Sequence, residues 1–159
     1  MALSLFVPSL TKESLHPRLT DYPLLGREED LFDLAKSCRN FLITIGQIKS
    51  PEPRTRLFEH LKQLGMTLPI VVSPLAHVSR QATLGEGTIV MHHALVNAGA
   101  FVGRNGFINM KALIEDHGHI STTVVVNGVV KIQCCSFIGN NEVLGDTLWL
   151  VKSRLWGQG

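Results

Sequence analysis

Two histidines and two carboxylates lie close together in the second half of the chain. Glu115, Asp116, His117 and His119 fall within the five-residue run Glu-Asp-His-Gly-His. An imidazole exchanges a proton near neutral pH and a neighbouring carboxylate can orient its ring, so this run has the residue types for proton transfer. The alternative is that His117 is a solvated histidine of a surface turn. A metal site is not expected, because the Asp116-x-x-His119 spacing has no third convergent ligand.

The three cysteines offer a different chemistry. Cys38 stands alone, and Cys134 and Cys135 are adjacent. An odd count with one adjacent pair indicates neither a disulfide framework nor zinc-ligand spacing. We expect reduced thiols, with Cys134 and Cys135 as small apolar fillers rather than nucleophiles.

A strict six-residue period surrounds these residues. It places Val, Ile or Leu at thirteen successive positions: Val72, Val78, Leu84, Val90, Val96, Val102, Ile108, Ile114, Ile120, Val126, Ile132, Ile138 and Leu144. From position 76 on, the residue two before each is usually small, with Val124, Val130 and Glu142 as exceptions. The residue after each is often Gly, Asn or Ser, which tolerate the positive φ of a tight corner.

Neither a helix nor an ordinary strand has this period, because helices repeat every 3.6 residues and strands every two. A hexapeptide solenoid explains it, with three hexads, about 18 residues, in each triangular coil. We therefore predict about four coils of parallel β-helix from Val72 to Leu144, with all thirteen aliphatic side chains inside. The hexad is expected to end at about Asp146, and the apolar residues beyond it to form a cap.

The residues before the period predict helices and strands in alternation. A short helix is expected over 30–36, and the apolar run 41–45 reads as a buried strand. A second helix is expected to begin at Ser50 and Pro51 and to stop at Gly65, and 70–72 is a further strand. This order suggests a small parallel α/β unit. The proposed division is 1–69 for this lead-in, 70–145 for the β-helix and 146–159 for the cap.

Composition excludes several classes of protein. The 159 residues are 45% hydrophobic and carry a net charge of +2, which is enough apolar material for a core and too little charge for a nucleic-acid binder. The longest apolar stretches are too short to span a bilayer. The N-terminus lacks the basic start of a secretory signal, so we expect a cytoplasmic protein without membrane or nucleic-acid partners.

Several segments of the sequence resemble the NeuD-type sugar O-acyltransferases, close relatives of the aminosugar N-acetyltransferases. The resemblance runs from about Tyr22 to Gly145. The matching segments are LITIGQIKSPEPRTRLF (42–58), VVSPLAHVS (71–79), GEGTIVMHHALVNAGAFVG (85–103), INMKALIE (108–115), DHGHIST (116–122), VVNG (125–128) and SFIGNN (136–141).

This resemblance implies a left-handed parallel β-helix after a truncated, Rossmann-like α/β subdomain. It implies a homotrimer that uses acetyl-CoA as acyl donor and acetylates a sugar, either sialic acid or a nucleotide-linked aminosugar, in surface glycan synthesis. The implied catalytic residues are His117, Glu115 and Asp116. His119 and Gly128 would bind acetyl-CoA, and Asn97 and Asn109 the sugar.

One departure from the family pattern concerns the catalytic base. The Asp-x-x-His-Ile-Ser motif follows Ile114-Glu115 with no residues between them, as if the hexad that carries the family's basic histidine were lost. His117 is the nearest substitute, and we expect weak acetyl transfer that depends on it. Loss of one hexad should also bring Asn109 and Asn127 onto the same corner. The alternative function is a catalytically degenerate β-helix that binds or scaffolds within a trimer.

Overall fold

The computed structural model describes residues 28–45 and 50–145, together with the backbone of one further strand at Trp149–Leu150. A 3-10 helix, Glu28–Asp30, leads into α1, Leu31–Ser37, and α2 spans Glu52–Gln63. The strands that follow in this part of the chain have two residues each: β1 Val71–Val72, β2 His77–Val78, β3 Thr83–Leu84, β4 Ile89–Val90, β5 Leu95–Val96, β6 Phe101–Val102, β7 Phe107–Ile108, β8 Leu113–Ile114, β9 His119–Ile120, β10 Val125–Val126, β11 Lys131–Ile132, β12 Phe137–Ile138, β13 Val143–Leu144 and β14 Trp149–Leu150.

These strands form three parallel sheets, each of which takes every third strand. The first sheet is β1-β4-β7-β10-β13, the second β2-β5-β8-β11-β14, and the third β3-β6-β9-β12. Paired residues differ by 18 in number, as Val71 pairs with Ile89 and Ile89 with Phe107. One coil therefore contains three hexads, and the chain makes about four coils. The predicted parallel β-helix is confirmed, and its architecture fits the left-handed type.

The aliphatic residue of each hexad points into the solenoid. From Val90 to Leu144 every such residue is buried, and most have no exposed surface. Val78 and Leu84 are half-buried and pack against the same core, whereas Val72 is 39% exposed. Burial was therefore predicted wrongly at Val72, which lies in the first coil and has no described coil beneath it.

The corners between sheets differ from the prediction. Positive φ falls three residues after the aliphatic position, not on the residue that follows it, at Gly87, His93, Gly99, Asn105, Lys111, His117, Thr123, Val129, Cys135 and Asn141. At Gly85 and Gly103 the glycine directly after the aliphatic serves close packing instead. A Cβ built on Gly103 would lie 2.7 Å from the backbone carbonyl carbon of Ser121 in the next coil.

The lead-in contains the two predicted helices but not the predicted sheet. The Ser50 hydroxyl accepts a hydrogen bond from the Glu52 amide, and Gly65, at φ +74°, follows the end of α2. The run 41–45 forms no strand. Among the described lead-in residues only a single parallel bridge, Asn40 with Thr67, connects extended segments. Ile43 is buried among helix side chains instead, and Val71–Val72 pairs within the solenoid.

A fully buried arginine attaches α2 to the solenoid. Arg54 donates through Nη1 to the Ile43 carbonyl at 2.6 Å, through Nε to the Asn105 carbonyl at 3.2 Å and through Nη2 to the Gly87 carbonyl at 3.3 Å. Its guanidinium also lies 5.6 Å from the centre of the Phe107 ring. Burial lowers the pKa of Arg54 to about 10, so the side chain stays charged at neutral pH and three carbonyls solvate it.

The hexad continues beyond Leu144. β14 pairs with β11 so that Leu150 lies opposite Ile132, again 18 residues away. The expectation that the repeat ends at Asp146 was therefore wrong, and the rest of the predicted cap lies outside the described residues. Within the part of the chain that the structure describes, no helix is both long enough and apolar enough to cross a membrane.

Candidate functional site

His117 occupies a corner between the second and third sheets. Gly99, His117 and Cys135 follow one another at intervals of one coil, and we call these three residues the His117 corner. All three have positive φ, and the exposed His117 ring lies over Gly99. A Cβ on Gly99 would approach the ring to 2.6 Å at Cδ2 and 2.7 Å at Nε2. Gly99 thus makes the space for the ring, a role that the sequence indicated only through its position 18 residues before His117.

The two carboxylates beside His117 differ in their surroundings. Glu115 forms an ion pair with Lys131 at 2.6 Å and accepts a hydrogen bond from the Cys134 backbone amide at 3.2 Å. The contact with Lys131 is the main cause that lowers the pKa of the Glu115 carboxyl, and the Cys134 amide lowers it further. Asp116 is exposed and its backbone carbonyl accepts the Cys135 amide at 3.1 Å. No hydrogen bond joins either carboxylate to His117 among the described residues, so the expected orienting contact is not formed in one subunit.

His119 lies on the outer face of the third sheet, within an aromatic column. Its ring stacks on Phe101 at 4.6 Å between centroids and on Phe137 at 4.8 Å, with interplanar angles of 14° and 17°. Phe101 is 38% exposed and Phe137 56%. Sequence analysis missed both phenylalanines, although their positions one coil before and after His119 would have placed the three rings together.

The remaining candidates divide between two corners. Asn97 lies one coil from Glu115, and its backbone N–H donates a hydrogen bond to the Ile114 carbonyl at 2.9 Å. Asn109 follows β7, and its Oδ1 accepts the Met110 amide at 2.7 Å, which is a corner-forming contact. Gly128 lies at that same corner, where an added Cβ would be 3.1 Å from the Met110 carbonyl oxygen.

The second sheet separates these two corners. Its strands end at one corner, where Asn97, Glu115 and His117 lie. They begin at the other corner, where Asn109 and Gly128 lie. One subunit therefore does not bring the two predicted acetyl-CoA residues, His119 and Gly128, to one place. The predicted stacking of Asn109 and Asn127 is confirmed, because the residues before them, Ile108 and Val126, are paired in the first sheet.

Cys134 and Cys135 are exposed, so the expectation that they fill the interior was wrong. They occupy the turn of their hexad, whose interior positions belong to Ile132 and Ser136. Their sulfur atoms are 3.3 Å apart. The contact with Cys135 is the largest cause that raises the pKa of the Cys134 thiol, followed by desolvation and by the charges of Cys135 and the acidic side chains nearby.

A cleft of about 460 Å³ opens between α2 and the turns of successive coils that join the third sheet to the first. Thr55, Glu59 and Lys62 line it from the helix, and Arg104 and Asn140 from the solenoid. Sequence analysis did not anticipate it. No group of three or more His, Cys, Asp or Glu side chains in residues 28–45 and 50–145 is arranged to hold a metal ion.

No protein-family model matches the sequence. Solved structures do resemble it. A point variant of perosamine N-acetyltransferase from Caulobacter crescentus, with CoA and GDP-perosamine, superposes with a TM-score of 0.61 at 24% identity over 70% of this chain. The chain spans 55% of the length of that protein. The acetyltransferase domain of PglB from Neisseria gonorrhoeae, in complex with acetyl coenzyme A, gives a TM-score of 0.52 at 18% identity. That match covers 87% of this chain and 79% of the domain.

The chain shares the fold of these proteins. A second variant of the Caulobacter enzyme, also with CoA and GDP-perosamine, matches with a TM-score of 0.55 at 20% identity, covering 79% of this chain and 70% of the other. The structural neighbours are thus a perosamine N-acetyltransferase and the acetyltransferase domain of PglB. At these identities the likeness concerns the fold.

Proposed function

We propose that the protein is an acetyl-CoA-dependent acetyltransferase that acts on a sugar. The observation that carries this proposal is the exposed His117 imidazole, held over Gly99 on the outside of a β-helix of the kind that sugar N-acetyltransferases use. An imidazole there can accept a proton at neutral pH, and no interior packing role explains its position. His119, two residues further on, presents its ring on the adjacent face.

The chemistry required of this chain is proton transfer and carbonyl polarisation. As the sugar amine or hydroxyl attacks the thioester carbonyl, His117 takes the proton of the attacking group. The thioester C–S bond breaks, the acetyl group stays on the sugar, and the proton returns to the departing CoA sulfur. The Gly128 N–H has no hydrogen-bond partner among the described residues and can donate to the carbonyl oxygen as negative charge develops there.

The site is completed in a homotrimer. His117 and Gly128 lie at different corners of one prism, with the second sheet between them, so they meet only if the corner of one subunit packs against that of another. A flat-sided prism suits such packing around a three-fold axis. Sedimentation should therefore give the mass of a trimer at micromolar concentration, and a monomer would contradict both the assembly and the site.

The acceptor is a nucleotide-linked aminosugar or sialic acid, as the resemblance implies. The GDP-perosamine in two structural neighbours supports the nucleotide-linked aminosugar as the first acceptor to assay. N-acetylation then takes precedence over O-acetylation, since the amine of an aminosugar is the better nucleophile once deprotonated.

A second candidate function is a β-helix that binds acetyl-CoA without efficient turnover. It is favoured by the commitment of Glu115 to Lys131 and to the Cys134 amide, and by the absence of a hydrogen bond from Asp116 to His117 among the described residues. Calorimetry with acetyl-CoA followed by a transfer assay separates the two functions. Binding with no transfer to UDP-linked aminosugars, GDP-perosamine or sialic acid would select the second.

His60 provides a control for His117. It lies on α2, whose Arg54 contacts the turns between the third and first sheets, away from both corners of the proposed site. We expect His117→Ala to lower kcat at least about 100-fold, the contribution of a general base. His60→Ala should retain the activity of the unmodified protein. Activity that survives His117→Ala would contradict the assignment of His117 and point to His119.

A further inference from the structure

The adjacent cysteines form a two-sulfur site on the surface of the fourth coil. Successive side chains of an extended strand point to opposite faces, so neighbouring thiols normally diverge. Here the chain turns at Cys135, with φ +59°, and both sulfurs come to one side, 3.3 Å apart and exposed. Two donor atoms are thus available to one external ligand.

Backbone contacts hold this pair in place. The Cys134 amide donates to Glu115 Oε2 at 3.2 Å, and the Cys135 amide donates to the Asp116 carbonyl at 3.1 Å. The Ser136 amide closes the turn onto the Gln133 carbonyl at 3.2 Å. Because the turn is fixed before any ligand arrives, a ligand that takes both sulfurs loses little conformational freedom of the chain.

The surroundings favour the protonated dithiol over a thiolate nucleophile. Glu115 and Asp116 both place negative charge near the sulfurs, and they contribute to the raised pKa of the Cys134 thiol. A single-site electrophile therefore finds a poor nucleophile here. An internal disulfide is also disfavoured, since adjacent Cα atoms are about 3.8 Å apart and unstrained disulfides need about 4.4 Å or more.

We propose that Cys134 and Cys135 form a chelating modification site for trivalent arsenic compounds. The reaction balances without an oxidant. Each thiol forms one As–S bond, each displaces one As–O bond, and the two thiol protons leave in one molecule of water when the reagent is an arsine oxide. Arsenic stays trivalent throughout, and the product is a ring closed through both sulfurs.

This site adjoins the proposed base. Cys135 lies one coil beyond His117 in the His117 corner, and coils of a parallel sheet are about 4.8 Å apart. A phenyl group carried by the bound arsenic therefore covers the space beside the His117 ring. Loss of acetyl transfer on modification rests on the proposed function, whereas arsenic capture does not.

Phenylarsine oxide is the probe, and the reduced full chain is the target. Intact-mass measurement after gel filtration in excess glutathione should show one phenylarsine group per chain, released by dithiothreitol. Cys134→Ser and Cys135→Ser should each weaken retention about 100-fold, because a single thiol loses the second, intramolecular attachment. Cys38→Ser, which removes the distant third thiol, should retain the adduct fully.

Retention that survives Cys134→Ser, or that disappears in Cys38→Ser, would overturn the proposal. A vicinal disulfide in the resting protein would also overturn it. The chain, isolated without added oxidant, would then have a mass two hydrogens below that of the reduced chain and would take up arsenic only after reduction. Circular dichroism of Cys134→Ser and Cys135→Ser should show an intact solenoid, because both positions are exposed.

Discussion

Replacing Arg54 by alanine should loosen α2 from the solenoid without unfolding the solenoid itself. The guanidinium is fully buried and donates to the carbonyls of Ile43, Gly87 and Asn105. These carbonyls come from the lead-in and from two coils, and no other hydrogen bond to them is formed among the described residues. Arg54→Ala would leave all three buried acceptors without a donor.

The size of the effect follows from two opposing terms. Three buried carbonyls without partners cost about 2 kcal/mol each, or about 6 kcal/mol. Removing the guanidinium also removes the cost of burying its charge. The fall in the pKa of Arg54 from 12.5 to about 10 puts that cost at about 3 kcal/mol. The free energy that holds α2 in place should therefore drop by about 3 kcal/mol.

Hydrogen–deuterium exchange resolved by segment is the direct assay. A loss of about 3 kcal/mol accelerates exchange of α2 amides by more than about 100-fold if they exchange through detachment of the helix. Amides of β7 and β10, in the middle of the solenoid, should change by less than about threefold. The far-ultraviolet circular dichroism of the strands should be retained.

Arg56→Ala is the matched control. Arg56 lies two residues further along α2, is exposed, and pairs with Glu28 at 3.0 Å on the surface. Such a pair contributes less than about 1 kcal/mol, so α2 exchange should rise by no more than about fivefold. If Arg54→Ala and Arg56→Ala gave the same α2 exchange, the carbonyl-solvated Arg54 would not be what attaches the helix.

Three further outcomes test the fold and the site. Ile108→Asp places an unpaired charge at a fully buried position and should cost more than about 4 kcal/mol, seen as loss of the cooperative thermal transition. Gly99→Ala should displace the His117 ring, whose Cδ2 would lie 2.6 Å from the new Cβ, and lower kcat about 100-fold while circular dichroism is unchanged; full activity would contradict this placement. The hydrogen bond from Lys62 lowers the pKa of Glu86 below 4.5, so its stabilisation is complete above that pH and is lost as the pH falls through the lowered value. Glu86→Gln should therefore reduce the fall in urea midpoint between pH 6 and about pH 3.

The period of six was enough to predict the solenoid, its coil length and nearly all of its interior. The aliphatic residue of each hexad reports one repeated environment, the interior of the solenoid. Ile114 and Ile120 lie there with no exposed surface. The pattern did not locate the positive φ angles. Turn-forming residue types mark both corners and close contacts, and Gly103 and His117 show that a glycine can serve the contact while a histidine takes the strained turn.

The site was predictable as a list of residues but not as an arrangement. Residues adjacent in sequence, such as Glu115 and His117, were expected to act together. Yet the Glu115 carboxylate turns to Lys131, which is 16 residues away and lies in the next coil. The thiols of Cys134 and Cys135 were placed inside although their hexad position is a turn. In each case the direction of a side chain depends on its place in the coil, which residue type alone does not reveal.

The sequence by itself determined the parallel β-helix, since a strict hexad with aliphatic residues is compatible with few other structures. It also determined the position of α2, through the local signals at Ser50 and Gly65. Only the tertiary structure decided how α2 is held, because the three acceptors of Arg54 lie up to 51 residues away in the chain. It alone also decided that His117 rests on Gly99 and that His119 stacks between two phenylalanines. These contacts join residues one coil apart, and they exist only once the coils are stacked.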